Sequence, residues 1–268
     1  MFDTTILEKK LATSWLGRSF SFFEELPSTN SYAKKIKSRD SLHGTLILTD
    51  YQNAGRGQHD RNWSVYPGQN LTFSLIFEPQ KAERLNLLTL VCALSVKEVI
   101  ESKTSRSVSL KWPNDVLIDD KKVCGILTET VFIGNKLNRV VVGIGLNVHQ
   151  QEFPGELSET ATSLQNEIKE SLKREKLLTE ILQKIEYRYR LWVQQDQNVV
   201  KLVNRSMLNT GEWCRLQVND QILQEEFKFL GVNEDGEFIA MDKEFSIRKF
   251  THEQVRVKGK NRSKKKPV

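Results

Sequence analysis

The chain has 268 residues, 38% of them hydrophobic, a mean hydropathy of −0.46 and a formal net charge of +6. This length suffices for one large and one small domain. No run approaches the roughly 18 apolar residues that a membrane helix needs, and the amino-terminal residues do not resemble a secretory signal. We therefore expect no membrane association and a cytoplasmic location.

The charge excess is concentrated at the carboxyl end. Residues 258–268 carry six of the 40 basic residues and no acidic one, which leaves 34 basic against 34 acidic residues in the body. We predict a disordered basic tail and no specific DNA binding by the body. A tail that tethers the protein to nucleic acid is the alternative, and strong salt dependence of binding would reveal it.

Cys92, Cys124 and Cys214 are few and widely separated. Their spacing is typical neither of a disulfide framework nor of a metal site. We expect reduced, mostly buried thiols and no metal ligated by cysteine.

The first predicted elements are a helix and two strands. Ser28 or Thr29 can cap a short helix, and residues 44–50 form a compact apolar run of strand length. Residues 70–77 alternate, which places Leu71, Phe73, Leu75 and Phe77 on one face of a strand. A long loop between these strands predicts that they are neighbours in a sheet.

Further along, the apolar spacing predicts a helix over 84–101 with one apolar face, then strands at 108–112, 115–119, 121–134 and 138–148. A second long helix is predicted over 171–193. Its predicted core face consists of Leu178, Ile181, Leu182, Ile185 and Leu191. After residue 210 short strands alternate with turn signals, which indicates a small β-barrel. We predict an α/β (α+β) fold with a mixed β-sheet flanked by helices over 1–205, a small SH3-like β-barrel over 206–257, and the tail over 258–268.

The segment GRGQHDRNW, residues 55–63, combines glycines, arginines and a tryptophan. Glycines permit positive φ and close approach to a ligand, and guanidinium groups suit carboxylate and phosphate oxygens. Trp63 offers a flat face for stacking. An exposed polar loop is the alternative for this segment taken alone.

Two further segments suggest a cleft. In KWPNDVLIDDKK, a hairpin brings Lys111, Asp115 and Lys122 together, and a lysine in a cleft can stabilise phosphoryl transfer. A solvated hairpin tip is the alternative reading of Lys122. In VVVGIGLN, Gly143 and Gly145 interrupt a strand, which often marks close approach of a ligand or another chain segment. This spacing is not a dinucleotide fingerprint.

The sequence resembles the biotin–protein ligases, also called biotin–[acetyl-CoA carboxylase] ligases. The resemblance is carried by five segments in this order: STN (28–30), YQNAGRGQHDRNW (51–63), KWPND (111–115), KKVCGIL (121–127) and GIGLN (143–147). The resemblance runs from about residue 20 to 257. It implies a class II synthetase-like catalytic domain followed by an SH3-like barrel.

The resemblance also implies the reaction: ATP activates biotin as biotinyl-5'-AMP, which is passed to a lysine of a biotin carboxyl carrier domain. Biotin and ATP are the implied substrates, with Mg²⁺ accompanying ATP, and a homodimer is an expectation from the family. Lys122 and Arg56 match the catalytic positions. The implied biotin contacts are Ser28, Thr29, Asn30, Gln52, Arg56, Gly57, Gln58, Lys122, Gly125 and Gly143. The implied ATP and adenylate contacts are Arg56, Gln58, His59, Arg61, Trp63, Lys111, Asn114, Asp115 and Asn147.

The chain departs from the common family loop GRGRxGRxW. Gln58 replaces an arginine, and His59 and Asp60 follow, with Asp60 where glycine is usual. We therefore expect a less tightly retained adenylate. Because the STN motif begins at residue 28, we also expect no amino-terminal winged helix-turn-helix and no repressor role.

Two other functions stay open at this point. Lipoate–protein ligases share the catalytic fold and a lysine-based adenylation site, although the GRG loop and KWPND favour biotin. The second is a catalytically inactive protein that senses biotin. The presence of Arg56 and Lys122, which match the catalytic positions, argues against it.

Overall fold

The computed structural model of the protein describes residues 1–58, 62–63, 66–219 and 221–258. The helices are α1 (Thr4–Lys10), α2 (Thr29–Lys35), α3 (Leu85–Glu101), α4 (Leu157–Thr160), α5 (Leu164–Glu167), α6 (Arg174–Val193) and α7 (Gln197–Ser206). The strands are β1 (Phe20–Leu26), β2 (Leu46–Gln52), β3 (Leu71–Phe77), β4 (Val108–Lys111), β5 (Asp115–Ile118), β6 (Lys121–Ile133), β7 (Lys136–Leu146), β8 (Trp213–Val218), β9 (Gln221–Val232), β10 (Phe238–Met241), β11 (Ile247–Phe250) and β12 (Val255–Lys258).

The larger sheet has seven strands in the order β1-β2-β3-β7-β6-β5-β4. β1 runs parallel to β2, and every other neighbouring pair is antiparallel. The prediction of a mixed sheet is therefore confirmed, as is the adjacency of β2 and β3.

Helices cover both faces of this sheet. Because side chains alternate along a strand, Leu75 and Phe77 point to one face and Ile76 to the other. The first face shares one large core with α3 and α6, whereas Ile76 packs in a small cluster with Ala33 of α2. Ser28 caps α2 through its hydroxyl, as predicted. The cluster around α2 covers only part of the second face of the sheet.

The apolar face predicted for the 84–101 helix is buried, but the burial extends well beyond that face. α3 is buried on almost all sides, and even Ser95 and Lys97 are shielded from solvent. The reason is that α3 lies between the sheet, α6 and α7. In α6, the predicted core residues Leu178, Ile181, Leu182 and Ile185 are buried, whereas Leu191 is only partly buried.

Five elements escaped prediction: the short helices α4 and α5, and also β1, α1 and α7. β1 has the sequence FSFFEEL, which does not alternate, and it is a strand because it pairs with β2 at the sheet edge. α1 is short, and Asp3 caps its first turn: the Asp3 side chain accepts hydrogen bonds from two backbone N–H groups. α7 follows a similar cap at Asp196.

The smaller sheet has five antiparallel strands in the order β11-β10-β9-β8-β12, which is the predicted small SH3-like domain. It packs against the larger part of the chain in one continuous core. Trp112 donates its indole N–H to the carbonyl of Gly236 at 3.1 Å. β12 includes the backbone of Lys258, and residues 259–268 lie outside the described residues. The division at residue 206 stays a prediction.

The three cysteines are free thiols, and Cys92 and Cys124 are buried. Burial raises the pKa of Cys92 to about 12 and raises that of Cys124 as well, so both are protonated at neutral pH. Among the described helices, none is long and apolar enough to cross a membrane.

Glu186 of α6 connects this helix to the segment before β1. Its carboxylate accepts from the backbone N–H groups of Ser14, Trp15 and Leu16 at 2.8 to 2.9 Å. Burial by itself raises the pKa of Glu186, but these hydrogen bonds outweigh it and lower that pKa below its usual value. The stabilisation is present above the usual glutamate pKa and is lost as pH falls through the lowered one.

We expect Glu186→Ala to reduce the free energy of unfolding by about 2–3 kcal/mol at neutral pH, because it leaves backbone donors near buried Leu16 without an acceptor. Urea denaturation measures the difference, which should shrink in acid. Glu8→Ala is the control, because Glu8 is exposed on α1 and its replacement should leave the free energy of unfolding nearly unchanged. Equal stability of the two variants at neutral pH would contradict this role.

Candidate functional site

The site is the part of the sheet face that α2 leaves uncovered. Gly143 and Gly145 of β7 share this face with Val141, which packs under α2. Gly125 of β6 lies directly opposite Gly145 in the register. Above this face lies a cavity of about 540 Å³. Of the predicted site residues, those lining it are Ser28, Thr29, Asn30, Gln52, Arg56, Gly57, Gln58, Trp63, Lys111, Asn114, Asp115, Lys122, Gly125, Gly143 and Asn147.

The cavity therefore brings together all the predicted site residues that the structure describes. Two of the predicted ATP contacts, His59 and Arg61, lie outside the described residues. So does Asp60, which departs from the usual family loop. Gln58 and Gly57, which precede them, line the cavity.

One end of the cavity is a cluster of buried, uncharged polar groups. Gln52 accepts through Oε1 from the backbone N–H and the hydroxyl of Thr29, at 2.7 and 3.1 Å. The oxygen of the Gln52 side chain is therefore engaged, and its amide nitrogen is the end that can donate to a ligand. Ser74 of β3 lies 2.7 Å from the Thr29 hydroxyl and donates to Oδ1 of Asn30 at 2.6 Å. Such fixed donors and acceptors suit a neutral polar ring with N–H and C=O groups.

Asn30 sits directly above Gly143. A Cβ at position 143 would overlap Oδ1 of Asn30 and lie 2.8 Å from its Cγ, so only glycine allows this approach. The amide nitrogen of Asn30 donates to the carbonyl of Leu127 at 3.1 Å and to Glu129 at 2.8 Å. These contacts fix the orientation of the amide.

Arg56 lies beside this polar cluster. Its Nη2 donates to the Ser31 hydroxyl at 3.1 Å and to both carboxylate oxygens of Glu129, at 3.1 and 3.2 Å. Lys34 also pairs with Glu129, at 2.6 Å. Burial by itself raises the pKa of Glu129, but the hydrogen bonds from Lys34 and Asn30 and the charges of Lys34 and Arg56 lower it below its usual value. Glu129 is therefore an anion between two cations, and the group retains a net positive charge.

Lys122 and Asp115 form the second charged group. The hairpin of β5 and β6 places Lys122 Nζ 2.6 Å from Asp115 Oδ1, as the sequence predicted. The buried Oδ1 nevertheless has no partner with hydrogen-bond geometry among the described residues. Lys122 Nζ also lies 5.5 Å from the centre of the Trp63 ring. An aromatic face thus borders the cation on one side.

Trp63 rests on a surface made by glycines. A Cβ at Gly145 would lie 2.6 Å from the Trp63 Nε1, and one at Gly125 would lie 3.1 Å from the ring. The buried Nε1 has no hydrogen-bond partner among the described residues. Gly55 does not adopt the positive φ that the sequence suggested; it is needed because a Cβ there would collide with the Trp63 carbonyl.

Asn114 and Asn147, predicted on the nucleotide side, also hold the backbone together. Asn114 donates its amide N–H to the carbonyl of Ile126 at 2.5 Å, and Asn147 donates to that of Thr162 at 3.0 Å. Both side chains are buried at the cavity wall. Lys111, at the end of β4, is exposed at its rim.

Sequence reasoning missed several residues of this site. Glu129 and Ser74 complete the polar end, and His252 and Arg256 of the smaller domain line the cavity from the far side. Glu129 had a local signal, because it is four residues beyond Gly125 on a strand and thus shares its face. The others come from distant elements, and no local pattern marks them.

Comparison with known proteins gives a consistent picture. The sequence pattern of the Biotin/lipoate A/B protein ligase family matches residues 22–147. The chain is 34% identical to the bifunctional ligase/repressor BirA of Bacillus subtilis over 230 residues, which is 84% of this chain and 70% of that protein. It is 35% identical to the biotin–[acetyl-CoA-carboxylase] ligase of Paracoccus denitrificans over 139 residues, 50% of this chain and 57% of that protein.

The fold is also similar to solved structures. The structure of biotin protein ligase from Aquifex aeolicus in complex with biotin and ATP matches with a TM-score of 0.78 and 29% identity. The match covers 90% of this chain and 99% of that one.

Proposed function

The chain belongs to the Biotin/lipoate A/B protein ligase family, among the biotin protein ligases, and on this premise we propose that it attaches biotin to a lysine of a carrier domain. The reaction uses ATP and passes through biotinyl-5'-AMP. The carrier is the biotin carboxyl carrier domain of a biotin-dependent carboxylase.

One observation carries the proposal: a single cavity joins a neutral polar end to a cationic end. The neutral end, with Thr29, Asn30 and Gln52, suits the ureido ring of biotin. The cationic end, with Arg56 and Lys122, suits its carboxylate and the phosphates of ATP. Lipoate has no ureido group to engage the neutral end, which favours biotin.

In the first step, a carboxylate oxygen of biotin attacks the α-phosphorus of ATP and the bond to pyrophosphate breaks. The two reactants are both anions, so cations held in place beforehand lower the barrier. Lys122 bridges the biotin carboxylate and the α-phosphate in this proposal. Arg56 holds the carboxylate, Trp63 supplies its free indole N–H and ring face to the adenylate, and Asn114, Asn147 and Lys111 border the nucleotide.

Two acidic side chains line the cavity, those of Asp115 and Asp120. Asp115 presents a buried carboxylate oxygen that is ion-paired with Lys122 Nζ at 2.6 Å, and the described residues contain no cluster of three metal-ligating side chains. This fits Mg²⁺, which is commonly held by one or two carboxylates and the phosphates of its substrate. When bound, the ion would neutralise polyphosphate charge, and Asp115 would hold it directly or through water.

In the second step, the amine of the carrier lysine attacks the acyl carbon of the adenylate and AMP leaves. Water must be excluded until then, because the mixed anhydride hydrolyses. We propose the cytoplasm as the location, since the reaction consumes ATP. We expect no specific DNA binding by the body, in which basic and acidic residues balance. A homodimer stays a prediction.

Gln58 lines the cavity where the family usually has an arginine. A neutral amide holds the adenylate phosphate less strongly than a guanidinium does, because charge-assisted hydrogen bonds are about twice as strong as neutral ones. We expect Gln58→Arg to slow the release of biotinyl-5'-AMP by about tenfold. Rapid dilution of enzyme loaded with labelled adenylate measures the rate. Gln58→Lys separates charge from guanidinium geometry, and an unaltered rate in both variants would remove the idea.

Transfer of labelled biotin to a carrier domain tests the whole proposal. Wild-type enzyme with ATP should label the carrier, and a carrier whose acceptor lysine is replaced by arginine should stay unlabelled. Labelling with lipoate in place of biotin would assign the chain to lipoate ligation. No labelling with either acid, despite tight biotin binding, would indicate a biotin sensor.

A further inference from the structure

Glu129 contacts both ends of the proposed biotin site and has no role in the reaction as described so far. It lies on β6, with 19% of its side chain exposed. Oε2 accepts from Asn30 at 2.8 Å and from Arg56 at 3.1 Å, and Oε1 accepts from Lys34 at 2.6 Å. One carboxylate thus connects a residue of the neutral end with the arginine of the cationic end.

The first consequence concerns Asn30. Its two amide hydrogens are engaged by Leu127 and Glu129, and Ser74 donates to its oxygen. A flipped amide would set its oxygen against the Leu127 carbonyl and the Glu129 carboxylate, both of which only accept. The network therefore holds Oδ1 above Gly143, where its second lone pair can accept from a ring N–H.

The second consequence concerns Arg56. Its side chain is 45% exposed, so the ion pair with Glu129 adds little to stability. What the pair supplies is placement, because a flexible side chain on a loop is anchored through one nitrogen, Nη2. The guanidinium has five N–H donors, and the contacts to Glu129 and Ser31 use only Nη2. Nε and Nη1 remain available for an anion.

We infer that Glu129 is a positioning residue for biotin: it fixes the Asn30 amide and anchors the Arg56 guanidinium, and so sets the distance between the groups that hold the ring and the carboxylate. The inference rests on the proposed function. No neutral substitute meets the same demands. An amide at position 129 accepts at one oxygen only and brings two N–H donors of its own towards Asn30, Lys34 and Arg56.

Biotin-dependent ATP–pyrophosphate exchange by Glu129→Gln tests the inference. We expect the KM for biotin to rise about 10- to 100-fold, as for loss of one or two oriented polar contacts. The KM for ATP should rise clearly less than that for biotin, because of the two site residues that Glu129 holds, Asn30 and Arg56, only Arg56 also borders the phosphates. Glu101→Gln is the matched control: it removes the carboxylate partner of Lys97 on α3, away from the site, and should change neither KM.

Two further measurements separate positioning from general stability. Thermal unfolding of Glu129→Gln shows whether the fold is kept, and a double variant with Arg56→Met shows whether Glu129 acts through Arg56. If it does, the double variant loses less than the sum of the single losses.

An unchanged or lower biotin KM in folded Glu129→Gln would overturn the inference, and a lower KM would mean that Glu129 competes with biotin for Arg56. Equal rises in the KM for biotin and ATP would also overturn it. If wild-type enzyme shows no biotin-dependent exchange, the proposed function itself fails, which distinguishes the two failures.

Discussion

Replacing Lys122 by methionine is expected to reduce biotin-dependent adenylation by at least about 100-fold, comparable to the loss of one fixed donor at a developing charge. Lys122 is the cation at the centre of the cavity, 2.6 Å from Asp115 and beside the Trp63 ring. Methionine keeps most of the aliphatic stem but no charge, so the repulsion between the two anionic reactants would lose the cation that lies between them, and Arg56 alone would compensate it. Initial rates of ATP–pyrophosphate exchange measure the loss.

Lys121→Met provides the control for this prediction. Lys121 is the preceding residue on β6; it is exposed and does not line the main cavity. Its replacement changes the net charge equally and should leave exchange unchanged. The loss in Lys122→Met should appear mainly in kcat, because the lysine acts on charge that develops in the transition state. A Lys122→Met enzyme with normal kcat would exclude Lys122 from the chemical step.

Gly143→Ala is the second substitution with a large expected effect. Gly143 has no positive φ, so its backbone tolerates alanine, but the added methyl group would overlap the amide of Asn30. Asn30 is held by Ser74, Leu127 and Glu129, so a shift of its amide away from the methyl group would break these hydrogen bonds. We expect biotin affinity to fall about 100-fold, since a displacement of about 1 Å at such a site can cost that much. Calorimetric titration with biotin measures it.

Gly134→Ala is the matched control for this prediction. Gly134 lies in the turn between β6 and β7 with a φ of +58°, and nothing lies within 4 Å of an added Cβ. Alanine there should destabilise the fold by about 1 kcal/mol through backbone strain and leave biotin binding unchanged. If Gly143→Ala bound biotin as the wild type does, the Asn30 amide would not be part of a rigid biotin site.

Local sequence patterns predicted those parts of the fold that depend on local alternation and on turns. β3 could be predicted because Leu71, Phe73 and Leu75 alternate with smaller residues, although its second face is buried as well. β1 could not, since it is a strand only by pairing with β2. The all-round burial of α3 depends on α7, whose packing no periodicity within α3 can reveal.

The candidate site was predictable where residues are close in sequence. Lys111, Asp115 and Lys122 belong to one hairpin, so a short segment sufficed to bring them together. The pairing of Gly143 with Asn30 required knowledge that α2 sits on β7, more than 100 residues away in the chain. Ser74 was missed for the same reason, because its partner Asn30 lies on another element, whereas Glu129 had a local signal in its spacing from Gly125.

Biotin-dependent exchange of labelled pyrophosphate into ATP, with lipoate in parallel, tests the central claim most directly. It reports formation of biotinyl-5'-AMP without requiring a carrier. We expect exchange with biotin, no exchange with lipoate, and loss of exchange in Lys122→Ala. Exchange with lipoate alone, or no exchange by folded protein with either acid, would contradict it.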